Sequence, residues 1–372
     1  MGSCTAYQLA KRGKKVLLLE QFELGHSKGS SHGASRIIRY AHTDPIYLPL
    51  AKAAYEEWDE LARLSGDKLY HVCGLLWLSN PEATAVRAKV LHDYGVPHSV
   101  LTGTEVGKKF PHLRFDDSWH ALYDPQAGYS HADRCVKAAQ SQTLAFGGTI
   151  HDNEPVIHIN PGPDHVDVLT AKTRYTAKKL IVTAGAWIPR LLTDLSVKLQ
   201  PELIGLTFWK VKSNPQRFLP ANNSPTLILT DKCDDFYVIP EVDYIGAIKC
   251  GVHFGIPINP NNKETTEVPQ WVEDISADIL KEHMPDIDSV EPMKKVRCLY
   301  TMTEDQNYVL DKHPIHRNII IGGGFSGSGF KFGAIVGKIL TKLALDEPTG
   351  FDLSPFSVTR KIEKVPSANA RL

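Results

Sequence analysis

The stretch from Arg297 to Phe332 constrains this chain most, because it feeds an apolar strand through a glycine turn into a helix. Ile319 to Ile321 is a continuous apolar run that passes directly into Gly322-Gly323-Gly324. A helical pattern then runs from Phe332 to Leu345. Glycines let backbone N–H groups come close to a ligand, and a helix N-terminus favours anionic groups there. Such joints belong to α/β folds. Upstream, Cys298 stands two residues before Tyr300, and Asn307 to Asp311 reads as a strand with Tyr308 and Leu310 on one face. Lys331, set between two phenylalanines, is the least expected residue of the segment.

The other end of the chain carries half of a related device. Thr5 to Arg12 reads as a helix stopped by Gly13, Val16 to Leu19 as a buried parallel strand, and Glu20 closes it. Helix, glycine, strand and terminal acid form the second half of a dinucleotide-binding βαβ unit, in which the acid accepts hydrogen bonds from the ribose. An apolar strand running into G-x-G-x-x-G should precede them. Only Gly2 stands where the third glycine belongs, so a chain truncated at its N-terminus, with an impaired cofactor site, is expected.

Length and charge narrow the function. At 372 residues, two intertwined domains are expected. Forty-two basic residues balance forty-two acidic ones, leaving no sign excess for nucleic acid or a membrane surface. No apolar run approaches the roughly 18 to 20 residues of a membrane span. The six cysteines lie at 4, 73, 135, 233, 250 and 298, without CxxC spacing or a histidine cluster to complete a zinc site, so no metal is expected. The ending Ala370-Arg371-Leu372 is of the small–basic–leucine class that addresses proteins to peroxisomes.

Between the ends, the small-residue loop from His26 carries His32, Arg36 and Arg39. Two arginines flanking Ile37 and Ile38 fit either a surface helix start with snorkelling side chains or recognition of a carboxylate or phosphate. Residues 47–64, 81–95, 104–110 and 131–146 read as helices. Lys179 to Val182 is a strand that breaks at Gly185 and Trp187, another close backbone approach. From about 200 to 290 strands and turns alternate, as in an inserted antiparallel sheet. Lys249 sits in one of these strands, between Ile248 and Cys250, and by its neighbours alone reads as facing water on a one-sided sheet.

Taken together, G-S-S-H-G-A-S-R-I-I-R (29–39), V-T-A-G-A-W (182–187), I-K-C-G-V-H (248–253), R-C-L-Y-T-M-T-E-D (297–305) and G-F-S-G-S-G-F-K-F (324–332) resemble one family, in order and at family-like spacing. It is the peroxisomal sarcosine oxidase and L-pipecolate oxidase group of the monomeric sarcosine oxidase family. The resemblance covers essentially the whole chain. It implies an α/β fold with a Rossmann-like FAD-binding domain, lacking the first strand and its GxG, and an inserted antiparallel substrate domain. Residues 1–45, 131–200 and 299–358 would form the first, 46–130 and 201–298 the second, and 359–372 a tail carrying the peroxisomal signal.

The resemblance also implies roles. Cys298 would hold FAD covalently through a thioether. Arg39 and Lys331 would hold the substrate carboxylate. Lys249, with Arg36 nearby, would stand where dioxygen is reduced, His253 and Tyr237 would line the substrate pocket, and His32 would lie near the flavin link. Glu20, Gly2, Gly185, Trp187, Gly324, Ser326 and Gly327 would contact the cofactor. The reaction would be oxidation of a secondary α-amino acid (sarcosine, L-pipecolate or L-proline) to an imine, with oxygen reduced to hydrogen peroxide in the peroxisomal matrix by a monomer. An import receptor would read the last three residues. A flavin dehydrogenase with another electron acceptor, or a non-catalytic form, are the alternatives. Ser328 departs from the histidine common in the family.

Overall fold

The computed structural model describes residues 1–362. The Gly2–Lys11 helix buries Cys4, Ala6, Tyr7 and Ala10, and packs between the Ala132–Ala145 and Gly333–Ala344 helices. Gly337 allows that approach, because a Cβ there would lie 2.7 Å from the Cys4 backbone carbon. The Tyr47–Ser65 helix adds Leu50, Ala54 and Trp58 to the same core, which also takes in Ile320, Phe332 and Ile335. Expected in the second part, this helix packs into one core with the Gly2–Lys11 and Gly333–Ala344 helices, which are expected in the first.

Two parallel pairings lie in separate small sheets. Leu17–Leu19 pairs with Thr149–His151, and Leu180–Val182 pairs with Ile319–Gly323, which also takes Val309–Lys312 antiparallel. The Ile319–Gly323 strand is buried throughout, as its unbroken apolar run requires. Leu17–Leu19 is exposed to half-buried and lines a large cavity.

A nine-stranded sheet builds the other layer. In order it runs Ile256–Pro257, Gln200–Lys210, Ala247–Val252, Phe236–Tyr244, Thr226–Leu229, Leu75–Ser79, His120–Asp124, Ser99–Thr102. Lys294–Met302 also pairs with Gln200–Lys210, with Cys298 opposite Ile204. The sheet is not wholly antiparallel as expected: Thr226–Leu229 lies parallel to Leu75–Ser79, and this junction fuses the segments 46–130 and 201–298. The boundary expected at 298/299 falls inside the Lys294–Met302 strand. Its second core gathers Trp209, Phe236, Ile248 and Cys250 under the Gln270–His283 helix.

A three-stranded sheet, Arg36–Ile38, Gly128–Ser130 and Tyr70–Val72, bridges the layers. Arg36 thus lies in a strand rather than at a surface helix start. The start of the expected tail is docked, since Arg360 donates to both carboxylate oxygens of Asp305 at 2.6 and 2.8 Å. Ala370-Arg371-Leu372 lie outside the described residues.

Candidate active site

One cavity of about 3480 Å³ runs from Gly2 and Glu20, past Thr183–Trp187, to Cys298, Lys249, Arg39 and Lys331. A pocket for one drug-sized ligand needs about 300–1,000 Å³, so a dinucleotide and a substrate have room side by side.

One end of the cavity is cationic. Arg39 follows the Arg36–Ile38 strand and rests 4.4 Å from the Trp77 ring. Burial weakens its hold on its proton, to about 10, yet it stays charged at any physiological pH. Its Nη1 is buried without a hydrogen-bond partner. Asp124 is nearby, but that carboxylate is taken by the backbone N–H groups of Tyr40, Ala41 and Gln126 at 2.8–3.1 Å. Lys331 is buried, donates to the Ser328 carbonyl at 2.7 Å, and is pushed well below its ordinary value by burial and by Arg39. The indole N–H of Trp58 fixes the Lys331 backbone carbonyl at 2.8 Å. Among the described residues neither cation makes an ion pair.

His253 follows the Ala247–Val252 strand and reaches the same end. Burial, Lys331 and Arg39 lower it to about 4, so it is neutral near pH 7. Tyr300 lies 5.4 Å from the His253 ring, and a Cβ at Gly327 would approach Tyr300 to 2.3 Å and His253 to 2.7 Å. That glycine, at φ +77°, lets the backbone pass close to these rings. Tyr237 meets Tyr300 and covers Gly251 across the hairpin. The Ser328 hydroxyl bonds the Tyr308 hydroxyl at 2.7 Å, so this departure from the family pattern sits in the wall beside Lys331.

Another part of the wall carries Cys298 and Lys249. Cys298 is a buried free thiol in the middle of its strand. Lys249, which its neighbours alone read as facing water and the family resemblance as a site residue, is only 3% exposed: its strand lies inside the nine-stranded sheet and is buried throughout. Arg36 donates to the carbonyls of Ser30, His32 and Ser35 at 3.1, 2.7 and 2.7 Å, so it clamps the 30–35 loop. The Ser30 hydroxyl ties that loop to the Leu299 carbonyl at 2.7 Å, next to Cys298. His32 has a buried Nε2 without a partner, and burial with Lys263, Arg36 and Lys249 lowers it to about 3.

The distal end matches the expected cofactor residues more loosely. Glu20 accepts from the Phe22 N–H at 3.0 Å and faces His26 at 3.4 Å. Gly2 is needed for packing, since a Cβ there would lie 2.7 Å from the Thr183 hydroxyl. Trp187 donates to Asn261 at 2.7 Å and meets Phe22 edge-on. Gly185 (φ +53°), Gly324 (φ +61°) and Ser326 (φ +43°) are among the left-handed residues that turn the chain along the cavity. A flavin dinucleotide fits this lining. The orphaned His32 Nε2 offers a buried polar atom, the glycine turns permit close backbone approach, and Cys298 lines the cavity.

Sequence reasoning missed two residues of the cavity lining, His42 and Trp77, and one behind it, Lys263. His42, buried with an unpartnered Nε2, is stacked on Tyr47 and lies between Arg39 and Lys331, which with burial hold it neutral. Its place three residues after Arg39 was the available signal. Lys263 is buried and bonds the Ser27 carbonyl, and Trp77 supports Arg39; neither has a sequence signature. Asp194, His313 and His316 bring possible metal ligands together. However, the His313 Nδ1 accepts the N–H groups of Ile315 and His316 at 3.3 and 3.2 Å, so Nε2 holds the proton and donates to Asp194 at 3.1 Å. A cation on Nε2 would require an imidazolate, and the cluster is better read as a hydrogen-bonded turn.

The FAD dependent oxidoreductase family matches residues 1–343. The chain is 37% identical to the peroxisomal sarcosine oxidase of Mus musculus, over 96% of this chain and 93% of that one. It is 33% identical to the monomeric sarcosine oxidase of Bacillus sp. (strain B-0618), over 97% and 93%. The fold is shared with the open form of NikD, an unusual amino acid oxidase (TM-score 0.81, 21% identity, 98% of this chain and 96% of that one). Glycine oxidase from Geobacillus kaustophilus also shares it (TM-score 0.81, 21% identity, 97% and 96%). Sequence and architecture agree, and the chain belongs to the FAD dependent oxidoreductase family, among the sarcosine oxidases.

Proposed function

We propose that this protein oxidises a secondary α-amino acid, of the sarcosine, L-pipecolate or L-proline type, to an imine and reduces oxygen to hydrogen peroxide, with FAD held covalently by Cys298. The observation that carries this reading is a pair of basic side chains, the half-buried Arg39 and the buried Lys331, facing one cavity without an ion-pair partner among the described residues. Burying unpaired charge is costly unless a counter-ion arrives, and a substrate carboxylate supplies one.

Arg39 offers its unbonded Nη1 to that carboxylate, while the Trp77 ring holds the guanidinium plane. His253, kept neutral, adds no third charge and presents a ring nitrogen to the substrate amine. Tyr300 packs against His253 at this end, and Tyr237 packs against Tyr300. Bound FAD supplies a hydride acceptor and a route for two electrons to oxygen. The buried ammonium of Lys249 stabilises negative charge developing on oxygen, a fixed electrostatic contribution that needs no reorganisation. The C-terminal Ala370-Arg371-Leu372 and the peroxisomal relative support a peroxisomal address read by an import receptor, and the monomeric relative supports a monomer.

Acid precipitation of the expressed protein tests the core of this reading. Flavin absorbance is expected to stay with the precipitate of the natural chain and to pass to the supernatant in Cys298→Ala. Peroxide release with sarcosine, L-pipecolate or L-proline is expected alongside. A colourless natural chain, or one silent with all three amino acids, would favour the non-catalytic alternative. A fluorescent fusion with and without the last three residues tests the address.

A further inference from the structure

We propose that Asp243 is a positioning residue for Lys249, holding its ammonium in place and in charge from behind the cavity wall. The inference rests on the oxidase reading only for its consequence, since the contacts themselves are structural.

The arrangement follows from a hairpin. Phe236–Tyr244 pairs with Ala247–Val252 in antiparallel register, with Ile239 opposite Lys249 and an irregularity before Tyr244. That irregularity brings Asp243 back beside the lysine of the neighbouring strand. The Lys249 ammonium donates to Asp243 Oδ1 at 3.4 Å, to the Ser35 carbonyl at 3.1 Å and to the Ser35 hydroxyl at 3.2 Å. The Ser35 hydroxyl in turn makes a short hydrogen bond to Asp243 Oδ2, and the Ala34 N–H donates to Oδ1 at 3.3 Å. Both charged side chains are nearly buried, at 3% and 8% exposure. Lys249 and Ser35 line the cavity and Asp243 does not. The carboxylate therefore acts through its neighbours.

The electrostatic surroundings need such a group. Arg36, on the separate three-stranded sheet, and Cys298, on the strand beyond Gln200–Lys210, act on Lys249, which in turn acts on His32 in the loop nearby, and among the described residues Asp243 is the carboxylate acting on the lysine. Burial and Arg36 both drive the proton off Lys249, lowering it from 10.5 to about 8, and Asp243 opposes them. Without Asp243, burial and the neighbouring arginine would act unopposed and the lysine would lose its proton at a lower pH. Ser35 couples the two, because its carbonyl also accepts from Arg36. One residue thus fixes the distance between the two cations and the acid.

The test follows the titration of Lys249 itself, with or without flavin. Protein carrying 13C-labelled lysine side chains is titrated by NMR, and the Lys249 signal is assigned by its loss in Lys249→Met. In Asp243→Asn its midpoint is expected to fall by about one pH unit or more, the effect of removing an opposite charge within hydrogen-bond distance. Asp243→Glu should restore most of the shift. Ser35→Ala should give a smaller fall in the same direction and serves if Asp243→Asn does not fold. A midpoint unchanged in the Asp243 or Ser35 variants overturns the proposal. The oxidase reading is judged separately, by mixing the substrate-reduced protein with oxygen. If Lys249 assists oxygen, reoxidation slows in Asp243→Asn in step with its titration. An altered titration with unaltered reoxidation would leave Asp243 as assigned and remove Lys249 from the oxygen step.

Discussion

Lys249 carries a stability consequence whose sign can be worked out. Its folded value is about 8, against 10.5 unfolded, so between those values the unfolded chain binds more protons than the folded one. Stability from this group therefore rises with pH from about 8 to 10.5, as the burial penalty on the charged form is relieved. Lys249→Met should flatten that rise in urea midpoints taken across the window, and an unchanged slope would show that another group causes it. Arg39 invites a different substitution. A lysine there keeps the charge but loses the flat fork and its stacking on Trp77, 4.4 Å away. Arg39→Lys is expected to lower kcat/KM by roughly 10- to 100-fold, chiefly through KM, since a hydrogen bond to a charged group contributes about 1.5–3 kcal/mol. Steady-state kinetics with the best of the three amino acids would check it.

At the scale of elements, two glycines decide how close the helices and turns approach. Gly337 lets the Gly333–Ala344 helix touch the Gly2–Lys11 helix, and Gly337→Ala is expected to cost about 1–3 kcal/mol by overpacking, read as a lower melting temperature. Gly327 sits against Tyr300 and His253, so Gly327→Ala should disturb substrate affinity as well as stability. The strands and helices with strong periodicity were legible in the sequence: the Tyr47–Ser65 helix, the Ile319–Gly323 strand and the Gly2–Lys11 helix lie within a few residues of their expected limits. Lys249 was misread because strand alternation cannot tell an open sheet face from one covered by a loop and a second layer. Asp243 and His42 were missed for a related reason. Each matters only through contacts made across a hairpin or between elements, and pairings of that kind leave no periodic mark.

The whole molecule has one core around the helices Gly2–Lys11 and Gly333–Ala344 and another under the nine-stranded sheet, and the cavity lies against both. Cys298 sits on a strand of that sheet, whereas Glu20 and Gly185 belong to the other side. A dinucleotide spanning these residues would bind the folded arrangement and not the unfolded chain, and so would couple the two cores. At a ligand concentration 100 times Kd this linkage amounts to about 2.7 kcal/mol. A shift of about 5–10 °C follows from roughly 2–4 °C per kcal/mol for domains of about 150–250 residues, and less for a longer chain. Cys298→Ala purified free of flavin should therefore melt several degrees below the same variant with FAD added back. The comparison uses one variant on both sides, so the lost thiol cannot cause the difference. With FAD bound by absorbance, one melting step shifted and another left in place would mean that the cofactor contacts only one of the two cores, and identical curves would mean that it does not favour the folded over the unfolded chain.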